Sequence, residues 1–300
     1  AAATPQVWHP DAMFFEILDD AATVRGQFYL DAYARTNKRG GAWMTEYKSQ
    51  YVKNKKEERP HVSIVCNFTK PTKSEPSLLT FNEVTTLFHE FGHALHGMLA
   101  NTVYPSLSGP NVYWDFVELP SQVLENWCYE KEALEIFARH YQTNEVIPME
   151  FVTKIKESAT FMEGMQTLRQ LSFGMLDMSW HGIDPSTIED VKAHESKVFK
   201  ATSLYPETPE TCMSTAFSHI FQGGYSAGYY SYKWAEVLDA DAFEFFKEKG
   251  IFSKEVAQKF KENVLSQGGT ENPMELYKRF RGKEPQPEAL LRRAGLIEKK

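Results

Sequence analysis

A change of hydrophobic period at Thr80 constrains this chain more than any other feature. Upstream, residues 24–34 (VRGQFYLDAYA) and 61–68 (HVSIVCNF) are short β-branched and aromatic runs bounded by glycine, proline and charge, which predicts two strands. From Thr80 the period becomes helical. Thr80 and Glu83 form a T-x-x-E capping box, and Val84, Leu87, Phe88, Phe91, Leu95 and Met98 recur at three- and four-residue steps. Such a helix buries one apolar stripe and leaves a polar face free, and that face carries HEFGH, His89 to His93.

Two imidazoles four residues apart lie on one helical face, the spacing that lets them occupy two corners of a tetrahedral metal site. Glu90 is turned by about 100° from His89, close enough to act as a base toward water at that metal without being a ligand. A third donor is then required, and Glu118 follows in WDFVELPSQ, just ahead of Pro120, a residue suited to a helix first turn. A carboxylate folding back from there would complete a His, His, Glu set with one position open. His96 shares the helical face, but three protein ligands already suffice, so a supporting or packing role is expected. Glu125 and Asp115 could each orient a ligating histidine, or merely cap a helix end.

Further helical patterns run over residues 120–140, 148–178, 185–202, 228–249, 253–265, 272–281 and 287–294, which predicts a mainly α architecture with a small antiparallel sheet. No repeat and no long linker divides the chain, so residues 1–300 read as a single domain. The run KNKKEERP, 53–60, reads as a solvated connection. A net charge of −7, scattered along the sequence, argues against nucleic acid or an anionic membrane as partner. No stretch reaches the ~18 apolar residues of a membrane helix, and the first ten residues lack a signal-peptide layout. Three cysteines without a CxxC pattern argue against a disulfide framework or a thiolate metal site, and a cytoplasmic setting is expected.

The segments HEFGHALHG, DFVELPSQVLENW and FSHIFQGGYSAGYYSYKW, in that order, resemble the M3 zinc oligopeptidases. The resemblance runs from VWHPD at Val7 to EPQPEALLRRAGL, and TNKRGGAWM, VCNFTKPTKSEPSLLTF and YPSLSG look most like the dipeptidyl carboxypeptidase branch. It implies a zincin-type catalytic domain with one Zn2+ per chain held by His89, His93 and Glu118, and Glu90 as catalytic base. It further implies that His219 and Tyr232 stabilise the tetrahedral intermediate, and that Tyr225, Tyr229, Gly109, Gly223 and Gly224 contact substrate. The residue types suit those roles. A hydroxyl or imidazolium donor aimed at developing negative charge is worth a few kcal/mol, roughly, in a dry cleft, and glycines let a loop move and approach a peptide backbone. On residue type alone the same segment could be an aromatic turn packed in the core.

The implied activity is hydrolysis of short peptides with release of C-terminal dipeptides, or internal cleavage as the alternative. HVSIVCNF, were it a sheet edge, could pair with an extended peptide. Members of the resembled family are more than twice this length. The expectation is therefore a catalytic C-terminal part without the N-terminal helical half that walls the peptide channel, inactive on its own or prone to self-association through its open cleft.

Overall fold

The computed structural model describes residues 6–298. Four strands form one sheet in the order β1-β2-β6-β3: β1 (Met13–Leu18), β2 (Val24–Tyr33), β3 (Trp43–Lys48) and β6 (His61–Phe68). The strands β4 (Tyr51–Lys53) and β5 (Lys56–Glu58) make a separate two-stranded ribbon, so the charged run expected to be a plain connection contains a hairpin. Asn54 and Lys55 turn it, both at positive φ (53° and 62°), as a tight hairpin loop requires.

The sheet is mixed, not antiparallel. β1 and β3 run antiparallel to their neighbours, but β2 and β6 are parallel, with Phe28 opposite Val62 and Leu30 opposite Ile64. Parallel pairing needs a crossover of at least about a dozen residues, and the β3 to β5 excursion supplies it. β6 is consequently an interior strand paired on both sides, so the expectation that it offers an edge to a peptide is overturned; β1 and β3 hold the edges. Those two half-exposed strands mix charge into their patterns and give no clear alternation.

Helix α1 (Phe81–Met98) lies across this sheet. Ala94 and Met98 join Phe28, Val62, Ile64, Cys66 and Phe68 in one core, with Leu87, Phe91 and Leu95 packed beside them. Its capping box forms: the Glu83 amide donates to Thr80 Oγ1 at 3.3 Å, and the Thr80 amide donates to the Glu83 carboxylate at 2.8 Å.

The remaining chain is helical: α2 (Trp114–Val117), α3 (Leu119–Glu125), α4 (Lys131–Phe137), α5 (Met149–Ser158), α6 (Glu163–His181), α7 (Val191–Phe199), α8 (Ser218–Phe221), α9 (Ser231–Lys249), α10 (Lys254–Phe260), α11 (Pro273–Arg281) and α12 (Glu288–Arg293). The single helix expected over 148–178 divides at Met162, which takes a left-handed conformation, because α5 packs on α4 whereas α6 packs on α7. A second core joins α2 and α3 to α9, α10 and α11 through Phe116, Leu119, Leu238, Phe243, Phe260, Leu276 and Phe280. A third, of Phe173, Leu176, Phe217, Ile220 and Tyr229, lies beneath the glycine-rich segment. Among the described residues no helix is long and apolar enough to cross a membrane. Cys66, Cys128 and Cys212 are unpaired, and burial pushes the first two thiols up to about 12.

Candidate metal centre

The site begins with a glycine inside HEFGH. A Cβ at Gly92 would lie 2.4 Å from the Pro120 carbonyl oxygen and 2.6 Å from Ser121 Cα, so only a bare backbone admits α3 this close to α1. Glu118 joins α2 to α3 in a helical conformation and is thereby pressed against the histidine face. Its Oε2 lies 3.2 Å from His89 Nε2 and 3.1 Å from His93 Nε2, and its residue is 2% exposed. Among the described residues, His89, His93 and Glu118 form the one group whose donor atoms converge closely enough to hold a metal ion.

Partners fix each of these side chains. His89 Nδ1 faces Glu125 Oε1 at 2.6 Å, while Glu118 accepts from Ser121 Oγ at 2.8 Å and from the Tyr225 hydroxyl at 2.7 Å. With Nδ1 donating to Glu125, His89 Nε2 faces a carboxylate oxygen, a contact that needs a proton or a metal ion between the two. Electrostatics agree. Burial opposes a charged His89, yet its bonds to Glu118 and Glu125 outweigh burial and raise its pKa to about 10. Burial likewise opposes an ionised Glu118, and the charges of His93 and His89 hold it well below the usual carboxylate range. Two imidazoles and a carboxylate converging on a point that favours a cation fit zinc's donor preferences. Glu90, on the same helix, is 6% exposed, and burial pushes its carboxyl pKa upward against the opposing pull of His89 and His93.

The aromatic loop meets this group through Tyr225. The Tyr225 and Tyr232 rings stack with centroids 5.1 Å apart, and the exposed His219 ring stands 6.2 Å and 6.5 Å from them. Burial, then the Glu118 charge, raises the pKa of both tyrosines, so their hydroxyls stay protonated donors. Gly224, at φ +87°, lets Trp114 pack against the loop, 3.1 Å from where a Cβ would be, and the Trp114 ring sits 4.9 Å from that of Tyr225. Gly223 closes against the His219 backbone.

Two expected substrate contacts lie deeper. Tyr229 is 9% exposed, in contact with Phe173 and Phe217, and its hydroxyl donates to Gln170 at 3.2 Å. Gly109 is buried at φ +55°, where a Cβ would press on Gly97 Cα at 3.0 Å. His96 is fully buried with neither ring nitrogen bonded, and burial lowers its pKa to about 3, so it packs as a neutral ring. Of the two carboxylates considered for orienting a histidine, Glu125 does so, whereas Asp115 accepts from the Tyr230 hydroxyl at 3.0 Å. Trp114 and Ser121 also touch this group, and of the two only Ser121, three residues after Glu118, has a spacing visible in the sequence.

A histidine pair on one helix, closed by a carboxylate from the next and flanked by a buried glutamate, defines the HExxH metallopeptidase class of site. A family model described as peptidase family M3 matches residues 1–296, and the chain belongs to that family. It is 47% identical over 293 residues to oligopeptidase A of Escherichia coli (97% of this chain, 43% of that protein). It is 44% identical to the organellar oligopeptidase A of Arabidopsis thaliana (97% and 38%) and 40% identical to the dipeptidyl carboxypeptidase of Escherichia coli (97% and 43%). The chain thus spans less than half the length of these relatives. Over the whole chain identity is higher to the oligopeptidases A, whereas the short segments quoted above pointed toward the dipeptidyl carboxypeptidase.

Proposed function

We propose that this chain carries the zinc site of a peptidase that hydrolyses short peptides at internal bonds. The convergence of His89 Nε2, His93 Nε2 and Glu118 Oε2 beneath the Tyr225 hydroxyl carries the reading. One Zn2+ held by these three residues supplies Lewis acidity toward the scissile carbonyl and lowers the pKa of water. Glu90, whose pKa is raised by burial, takes the proton from the attacking water on its carboxylate and returns it to the leaving amine. The Tyr232 hydroxyl and the His219 ring donate toward the developing oxyanion. Tyr225, tied to Glu118, sets the distance between that pair and the metal group. Gly223 and Gly224 are exposed on this loop, and the space their missing side chains leave is taken by the His219 backbone and the Trp114 ring.

Internal cleavage is favoured by the higher identity to the oligopeptidases A. Dipeptide release is the second reading, supported by the 40% identity to the dipeptidyl carboxypeptidase. Short peptides are the partners, and a cytoplasmic setting suits three unpaired thiols. Self-association, if the 300 residues stand alone, would use the exposed Leu171, Met175 and Met178 on α6.

Mass-spectrometric mapping of products from one peptide with a free and an amidated C-terminus tests the reading. Internal cleavage gives the same bond cut in both. Dipeptide release spares the amidated form, and the absence of any chelator-sensitive cut, even in a full-length protein containing this chain, refutes the proposal.

A further inference from the structure

We infer that Asp177 is a positioning residue for the proposed reaction: its buried carboxylate clamps the Ala227 and Tyr229 amides and so holds Tyr225 and Tyr232 against the metal group. The inference rests on the roles proposed above for those tyrosines.

Asp177 lies in the last turn of α6 and is 1% exposed. A carboxylate is poorly placed there, because the helix C-terminus already carries partial negative charge and burial strips away water. Three donors offset this. The Ala227 amide donates to Oδ1 at 2.8 Å, the Tyr229 amide donates to Oδ2 at 2.9 Å, and His181 Nδ1 donates to Oδ1 at 2.8 Å. Two of the three belong to the backbone between Tyr225 and Tyr232.

That stretch would not keep its shape unaided. Ala227 sits at φ 55°, the left-handed region that a residue with a Cβ avoids. The loop's own bonds are local: the Tyr225 amide donates to the His219 carbonyl at 3.0 Å, and the Gly228 amide to the Tyr225 carbonyl at 2.9 Å. Asp177 reaches from a separate helix and fixes the middle of the loop with a charged acceptor, the stronger kind of hydrogen bond. On either side of this anchor the Tyr225 hydroxyl meets Glu118 at 2.7 Å and the Tyr232 ring stacks on Tyr225. Releasing the anchor would let both hydroxyls drift, and a displacement of about 1 Å costs roughly 100-fold in rate.

The experiment compares zinc-loaded wild type, Asp177→Asn and His181→Gln by amide hydrogen exchange, zinc content, thermal melting, kcat and KM. Asn can accept from one amide but presents an NH2 to the other. The expected result for Asp177→Asn is exchange at Ala227 and Tyr229 at least ~10-fold faster, with kcat down ~10- to 100-fold and KM and zinc content within twofold. His181→Gln keeps both amide bonds and leaves kcat within about twofold. In wild type itself the Ala227 and Tyr229 amides are expected to exchange far more slowly than those of Gly224 and Ser226, which have no acceptor of their own among the described residues, a readout that survives even if Asp177→Asn fails to fold.

Equal exchange at those four amides in wild type overturns the clamp. So does an Asp177→Asn protein that folds, exchanges faster and keeps its kcat, or one whose KM rises while kcat stays. Exchange needs no turnover, so a wild type that hydrolyses nothing would refute the proposed function while amide protection still decides whether the clamp exists.

Discussion

The face shared by α1 and α3 and the loop from His219 to Tyr232 sit side by side, yet they are built in opposite ways. On the helical face, Gly92 locks two backbones together, and Glu118 and His89 are each held by further side chains. On the loop, Gly223, Gly224, Ser226 and Ala227 are exposed, and two of these four residues take positive φ. The two regions divide the labour. Donors for a metal must converge to within a few tenths of an ångström and stay there, which rigid helices provide. Groups that meet a peptide must admit and release it, which a tethered loop provides.

Substitutions on the two regions should therefore separate metal binding from turnover. The largest effect is expected at Glu90, which belongs to the rigid face but holds no metal: Glu90→Gln should lower kcat by about 1,000-fold with zinc content unchanged, as steady-state kinetics and metal analysis would show. Gly92→Ala should weaken zinc binding by about 100-fold or more, because the new methyl group forces Pro120 and Glu118 away from the histidines. Zinc affinity within twofold of wild type would break the claim of a locked face. Tyr232→Phe should cost about 100-fold in kcat while zinc affinity stays, since an oxyanion donor is lost and no metal contact is. Glu125→Gln should weaken zinc binding by about 10-fold, measured by competition with a chelating dye, through loss of the charge that orients His89.

A further effect concerns stability and pH. His96 is neutral in the fold with a pKa of about 3, against 6.5 in the unfolded chain. Between those values the unfolded state binds a proton the native state refuses, so native stability falls as pH drops below 6.5. The cost is about 1.4 kcal/mol per pH unit, or about 2 kcal/mol at pH 5. Urea unfolding at pH 7 and pH 5 should show that wild type loses about this much more than His96→Gln does.

Legibility from sequence followed the same divide. The helix carrying His89, Glu90 and His93 was readable because capping, period and motif are local. Glu118 was reached through the need for a third donor and its place before Pro120, and the family resemblance matched it, although its partners lie on another helix. The role of Gly92 was hidden inside the motif, for nothing local announces the approach of Pro120. Glu125 and Asp115 could not be told apart until Tyr230 was seen to engage Asp115. Asp177 gave no signal at all, because two of its three partners are backbone amides 50 and 52 residues downstream. The parallel pairing of β2 with β6 was likewise invisible: each strand was evident, but alternation within a strand says nothing about the direction of its neighbour.

Zinc titration of metal-free protein, followed by peptide hydrolysis and metal analysis together, tests whether His89, His93 and Glu118 hold the metal on which hydrolysis depends. Activity is expected to return in proportion to zinc up to one ion per chain, and His93→Ala is expected neither to bind that ion nor to recover activity. Hydrolysis that persists without metal, or zinc held as tightly by His93→Ala as by wild type, would contradict it.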